Sequence, residues 1–299
     1  MSSAPTADSS ASPAEPAPRA PTPVDPAPAD PTKGDVLLSV QNVSLRLGGA
    51  PVLAGVSLEV KDRIRPGVTT GQLVGVLGPS GVGKTRLLRI IAGLDAPDSG
   101  EVRGPKGTPL ESGSVGVVFQ NYPLLRHRTI QKNLEIAGSA GGLRGKALHD
   151  RAKYLLDRFG LTERAKYYPA QISGGQRQRV AIAQQLVVPR QLLLMDEPFS
   201  GLDPATLDEV IQLIIEVANL DELNTIAVVT HDIRAAMIVA DTLFMLGRER
   251  SEGGGPIPGA KVQMSYDLVE RGLAWQPDIE RLPSFGPLEK EIKDRFKLL

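Results

Sequence analysis

The sequence contains no cysteine. Disulfide scaffolds, thiol nucleophiles and cysteine-ligated metal sites are thereby excluded, and a reducing compartment is permitted. No run approaches the ~18 consecutive apolar residues of a membrane helix, so work at a membrane requires another protein to span it. Excess charge is lacking too: 34 Lys and Arg balance 34 Asp and Glu over 299 residues, a formal net charge of zero. A chain that coats nucleic acid or clings electrostatically to anionic lipid needs a basic surplus, which argues against both partners. The opening residues have neither the basic start nor the continuous apolar stretch of a secretory signal. Apolar material is plentiful, 41% of the residues, enough for a sizeable core in one large domain or two small ones.

Nine of the 25 prolines fall between Pro5 and Pro31, among Ala, Ser, Thr and Asp and without an apolar period. This composition predicts a disordered, partly polyproline-like tail over residues 1–34. From Asp35 the pattern becomes strand-like over Val36 to Val40 and Val52 to Val60, with the alternation of an antiparallel sheet. Three later runs, Gln72 to Leu77, Gln191 to Met195 and Thr225 to Thr230, are almost wholly apolar, as central parallel strands covered on both faces are. Helical patterns follow the first and third. The fold class is therefore α/β, a doubly wound parallel sheet with an antiparallel β flank. Residues 121–180 carry little strand signal, and Ala147 to Phe159 has helical spacing, so a helical subdomain is expected there. The core domain is expected over 35–250 and a C-terminal extension over 251–299, opening with the loop-forming Gly253, Gly254, Gly255 and Pro256. Leu288, Ile292 and Phe296, four apart behind Pro287, predict a short closing helix.

The chemistry lies at the ends of the apolar runs. Gln72 to Leu77 leads into Gly78-Pro79-Ser80-Gly81-Val82-Gly83-Lys84-Thr85 and then a helical pattern. Glycines in such a loop let backbone N–H groups converge on phosphate oxygens; Lys84 would reach the β and γ phosphates, and the Thr85 hydroxyl would ligate Mg²⁺. Asp196 and Glu197 close a second run, where one acid can hold Mg²⁺ and its neighbour can orient or deprotonate a water. Ser173-Gly174-Gly175-Gln176 opens a helix: Ser173 is a good N-cap, and the glycines leave the positive end of the helix open to an anion. Taken singly, each element has a plainer reading as a turn, a strand end or a capped helix. His127 and His149 are read as surface histidines.

Together these elements resemble the nucleotide-binding subunit of an ATP-binding-cassette (ABC) transporter over Leu37 to Leu246. The family's order is matched by Gly78 to Thr85, Gln120 after Val117-Val118-Phe119, Ser173 to Gln176, Asp196 with Glu197, Ser200-Gly201-Leu202-Asp203, and His231, each occurring once. The resemblance implies a P-loop NTPase with a RecA-like core, ATP and Mg²⁺ as ligands, and ATP hydrolysis coupled to transport. It implies Glu197 as general base, His231 as γ-phosphate contact, and Gln120 beside Mg²⁺ or the attacking water. It places Ser173 and Gly175 against nucleotide held by an opposed subunit and counts Gly174, Gln176 and Asp203 among the nucleotide-binding residues, so that two copies, or this chain and a paralogous ATPase, pair head to tail. The same likeness implies separate transmembrane permease subunits, a solute-binding protein and a peripheral location on the cytoplasmic face of the inner membrane.

Only 89 positions separate Lys84 from Ser173, and no heptad array appears, which disfavours the long coiled-coil insertion of a chromosome-repair relative. Where the family commonly stacks an aromatic residue on adenine, this chain has Leu47. Lys61 to Thr70 is longer than the usual approach to the phosphate loop and reads as a surface hairpin or loop. Asn121 to Ile130 and Leu273 to Pro277 look like members serving nitrate, sulfonate, taurine or bicarbonate import. Import of a small anion is thus the leading expectation; an exporter or lipid-trafficking ATPase, or a hydrolysis-poor nucleotide-dependent scaffold, are the alternatives weighed.

Overall fold

Apolar alternation and turn chemistry dictate the first hairpin of the structure, a computed structural model that describes Met1 and residues 33–63, 72–110, 113–190, 192–219, 225–276 and 278–299. Strand β1 (Lys33–Leu47) pairs antiparallel with β2 (Ala50–Arg63), Val40 opposite Leu58 and Val43 opposite Val56, both pairs buried. Residues 2–32 of the predicted tail and 64–70 of the predicted surface loop lie outside the described residues, as do Gln191 and Pro277; Lys33 and Gly34 of the tail begin β1, and residues 61–63 of the loop end β2.

The three wholly apolar runs become β3 (Gln72–Leu77), β6 (Leu192–Asp196) and β7 (Thr225–Thr230), with every residue buried. They run parallel, β3 beside β7 and β7 beside β6. A strand covered on both faces has no polar side to show, which is why its sequence loses the alternation seen in β1 and β2. Helices α1 (Lys84–Ile91), α5 (Pro204–Ala218) and α6 (Ile233–Val239) come after these strands. The sequence reading places helices after the first and third runs only; α5 follows the second as well, started by the Asp203 cap and Pro204.

Between the strands lie β4 (Ser99–Arg103), β5 (Gly116–Val118) and helices α2 (Ile130–Ala140), α3 (Gly145–Arg158) and α4 (Gly174–Leu186). Ile130, Leu134, Ala152, Leu155, Leu156 and Val180 join the three helices in one buried cluster, in the stretch where a helical insertion is expected. Thr129 starts α2 by accepting the Lys132 N–H.

The chain closes with β8 (Thr242–Arg250), β9 (Pro256–Asp267) and α7 (Phe285–Phe296). Among the described residues the sheet order is β4-β1-β2-β9-β8-β3-β7-β6-β5. The expected parallel core and antiparallel flank are both present, and β9 joins them: it is antiparallel to β8 and touches β2 through Leu53 and Ala260. The boundary expected at 250 is therefore not a break in the structure. Residues 32–299 form one unit, and the segment after the glycine turn is an inner strand of the sheet. Gly253, Gly254, Gly255 and Pro256 gave its start the composition of a loop. Helix α7 buries Phe285, Leu288 and Ile292 against Tyr266, Leu243 and Met245. Among the described residues no helix is long and apolar enough to cross a membrane.

Candidate active site

The carboxyl ends of β3, β6 and β7 bring the predicted residues together. A crevice beyond the strand ends is where open parallel sheets hold ligands. The loop from Gly78 to Gly83 leaves β3 and is tied to β7 by the Gly78 N–H donating to the Thr230 carbonyl at 3.3 Å. Gly78 has no room for a side chain, since a Cβ there would lie 2.5 Å from the Leu246 carbonyl oxygen. Gly83, at φ 115°, caps α1 in a backbone conformation that other residues rarely adopt, and no side chain covers the N–H groups behind it. Gly81 faces open space. Pro79 and buried Val82 shape the loop without lining the cavity in front of it.

Lys84, the first residue of α1, is 5% exposed, and its Nζ turns back toward the loop. It donates to the carbonyls of Gly78 at 2.8 Å and Pro79 at 3.1 Å and pairs with Glu197 Oε1 at 3.0 Å. The next side chain, Thr85 Oγ1, lies 3.1 and 3.0 Å from the two carboxylate oxygens of Asp196. Burial pushes the Asp196 carboxyl above its ordinary pKa; neighbouring Glu197 adds to this, while the Thr85 hydrogen bond and Lys84 oppose it. A hydroxyl and a carboxylate with hard oxygen donors suit Mg²⁺, which binds through one or two such groups and keeps water and phosphate for the rest.

Glu197 follows β6 with φ 49°, a left-handed conformation that costs a non-glycine residue energy and is held by its N–H bond to the Val229 carbonyl at 2.8 Å. The strained backbone aims the carboxylate between two partners. One oxygen meets Lys84; the other accepts from the His231 backbone N–H at 3.2 Å and lies 2.8 Å from His231 Nδ1. Because an ionised carboxylate only accepts, Nδ1 carries the proton in that bond.

In front of these groups is a cavity of about 470 Å³ lined by Leu47, Gly81, Lys84, Thr85, Glu197 and His231, with Ser80, Gly83, Gln120 and Ser200. Leu47, 43% exposed, is on its wall. Gln120, just beyond β5, faces the same space. The sequence reading missed two lining residues, Val52 and Arg86. Arg86 is one step past the phosphate-loop threonine and was findable by position; Val52 is brought there only by the β1–β2 hairpin.

The remaining predicted residues are elsewhere. Ser173 caps α4 by accepting the Gln176 N–H at 3.2 Å, and Gln176 returns the bond from its side chain, accepting the Ser173 N–H at 3.0 Å, a reciprocal capping box. Gly174 and Gly175 leave the helix start uncrowded, and none of these four lines the phosphate cavity. Asp203 caps α5, accepting from Ala205, Thr206 and the Thr206 hydroxyl; these bonds hold its carboxyl below the usual range. It too is absent from the cavity wall. His149 bonds to Gln131 and Glu135 on the surface, in keeping with its plain reading.

Residues 62–200 match the family model described as ABC transporter. The chain is 39% identical over 251 residues to an aliphatic sulfonates import ATP-binding protein of Burkholderia ambifaria, covering 80% of this chain and 74% of that one. It is 35% identical over 232 residues to a sulfate/thiosulfate import ATP-binding protein of Mesostigma viride, covering 76% of this chain and 63% of the relative. The chain spans 62% to 65% of the length of three of the curated relatives it matches. Among solved structures it is similar to a dimeric ATP-binding cassette in a post-hydrolysis state bound to ADP and phosphate, with TM-score 0.60, 28% identity, and 78% of this chain and 99% of that one covered. The phosphate loop, the paired acids and the capped signature helix thus sit in a chain whose extended identity to these subunits leaves one assignment: it belongs to the ABC transporter ATP-binding family.

Proposed function

We propose that this chain is the ATP-hydrolysing subunit of an ABC importer, driving uptake of a small anion through separate membrane permease subunits. The observation that carries the reading is the placement of Glu197, whose carboxylate is held between Lys84 and His231 beside the Thr85–Asp196 pair. Lys84, Thr85, Gln120, Glu197 and His231 line one cavity, with Asp196 bonded to Thr85 behind it. Thr85 and Asp196, with Gln120 beside them, would hold Mg²⁺, which supplies charge neutralisation along the phosphates. The N–H groups of the loop and of the uncapped α1 terminus receive phosphate oxygens. Lys84 exchanges its Glu197 partner for phosphate, and Glu197, released but still bonded to His231, accepts the proton of the attacking water. His231 has its second ring nitrogen left for the γ phosphate. Leu47 covers the base by apolar contact instead of stacking.

The exposed, capped start of α4 is the missing wall. Its place outside the cavity supports a head-to-tail pair, two copies or this chain with a paralogous ATPase, in which each α4 faces the other subunit's nucleotide. The dimeric, ADP-bound structural neighbour supports the same arrangement. ATP then holds the pair closed and cleavage opens it, a population shift that the permease reads. The sulfate and sulfonate relatives support a small oxyanion as cargo, delivered by a solute-binding protein, with the chain on the cytoplasmic face of the membrane.

The test is Glu197→Gln. Turnover of Mg-ATP is expected to fall by ~10²-fold or more, the share of a general base, with nucleotide affinity retained. Turnover near wild type rejects the assigned base.

A further inference from the structure

The parallel strands that carry the phosphate site have a second cavity at their opposite ends. It measures about 270 Å³ and is lined by Leu37, Leu110, Val115, Leu192, Arg190 and Thr225, among others. Leu192 and Thr225 are register partners that open β6 and β7, so the cavity is separated from Asp196 and His231 by the full length of those strands. At ~3.3 Å per residue this is on the order of 15 Å.

Its polar groups are unusual. Thr225 is 1% exposed, and its hydroxyl has no hydrogen-bond partner within the protein. The Arg190 Nε–H is likewise buried without one. The Arg190 head is nonetheless fixed, because Nη1 donates to the Gly113 carbonyl and, at 3.5 Å, to that of Val115. Carbonyls do not neutralise a guanidinium, and no described carboxylate pairs with it. Burial pulls its pKa below the ordinary value. Arg63 offers a contrast: it also has buried N–H groups without partners, but Asp267 balances its charge. Buried polar groups are normally paired, and exceptions ask for a reason. Here an unpaired donor and an unpaired hydroxyl belong to residues lining one cavity, with Ser114 as its other polar residue, and the guanidinium has no acid partner among the described residues.

We propose that this cavity binds a small amphiphilic anion, a carboxylate or sulfonate head on a short hydrocarbon chain. The head accepts from Arg190 Nε and the Thr225 hydroxyl; the chain lies against Leu37, Leu110, Val115 and Leu192. The volume falls just below the ~300 Å³ at which ligand pockets usually begin, which restricts the ligand to a few carbons. Because the site is at the far ends of β6 and β7, its ligand and Mg-ATP bind together.

Calorimetric titration of the full chain with butanesulfonate and hexanoate tests this, with inorganic sulfate and butylammonium as the head-only and opposite-charge probes. Both organic anions are expected to bind saturably, with or without Mg-ATP. Sulfate is expected to bind at least about tenfold more weakly for want of the buried carbons, and butylammonium not at all. Arg190→Gln is expected to weaken binding about tenfold and Thr225→Val about threefold, the second serving should the first misfold. Absence of saturable heat, wild-type affinity in both variants, sulfate as tight as butanesulfonate, or competition with Mg-ATP each overturns the proposal.

Discussion

The phosphate loop and the start of helix α4 are built from similar parts, a glycine-rich turn feeding a helix, yet they end in opposite conditions. At the loop every charged group has a partner within the chain: Lys84 with Glu197, Glu197 with His231, Asp196 with Thr85. At α4 Ser173 and Gln176 are paired with each other and Arg177 donates back to the Ile172 carbonyl, while residues 173–175 are exposed or half-exposed. The loop is closed on itself and must exchange partners to bind phosphate. The helix is finished as a helix and has one open face to give. On the proposed reading the catalytic groups belong to one surface and their complement to another.

That division fails most visibly under Ser173→Arg, which plants a long cation where an opposed nucleotide is expected. Hydrolysis is expected to drop by ~10²-fold, the scale of lost transition-state contacts, while ATP affinity of the isolated chain stays within about twofold. Loss of affinity in the isolated chain places α4 at its own nucleotide and ends the contrast. Leu47→Tyr probes the loop side: an aromatic face toward adenine is expected to tighten ATP binding by ~1 kcal/mol, about fivefold, read by equilibrium titration. An unchanged constant removes position 47 from the base.

The smallest effect concerns stability. The Asp196 pKa is raised mainly by burial, so the folded state holds this proton more tightly than the unfolded one. Its contribution is therefore favourable below the ordinary carboxyl range and is lost as pH rises through the raised value. In chelator, without nucleotide, Asp196→Asn is expected to melt higher than wild type at neutral pH, and the advantage is expected to vanish on acidification. A lower melting temperature at neutral pH contradicts that account.

Legibility depended on what each residue had to do. Strands β3, β6 and β7 announced themselves because burial on both faces leaves no freedom for polar residues. Ser173 did so because a capping box is a local rule, complete within four residues. Strand β9 did not: Gly253, Gly254, Gly255 and Pro256 signal a loop, and only pairing with β8, set by the whole sheet, makes a strand of the chain from Pro256 onward. Helix α5 has no place in the sequence reading, which takes Asp203 only as part of the Ser200-Gly201-Leu202-Asp203 motif although it caps that helix. The strained backbone of Glu197 and its two partners were not legible, since they depend on three strands ending at one level. The charge of Arg190 was visible in the sequence, but that no acid pairs with it among the described residues is a property of the packed chain.

Mixing two inactive chains puts the separation of the two surfaces to its plainest trial. Lys84→Ala disables the phosphate loop and leaves α4 intact; Ser173→Arg does the reverse. If one loop and one opposed α4 form each site, the mixed pair contains one intact site, and ATP hydrolysis returns on mixing although neither variant works alone. Should the mixture remain as inactive as its components while both still fold and associate, the two surfaces do not complete one another.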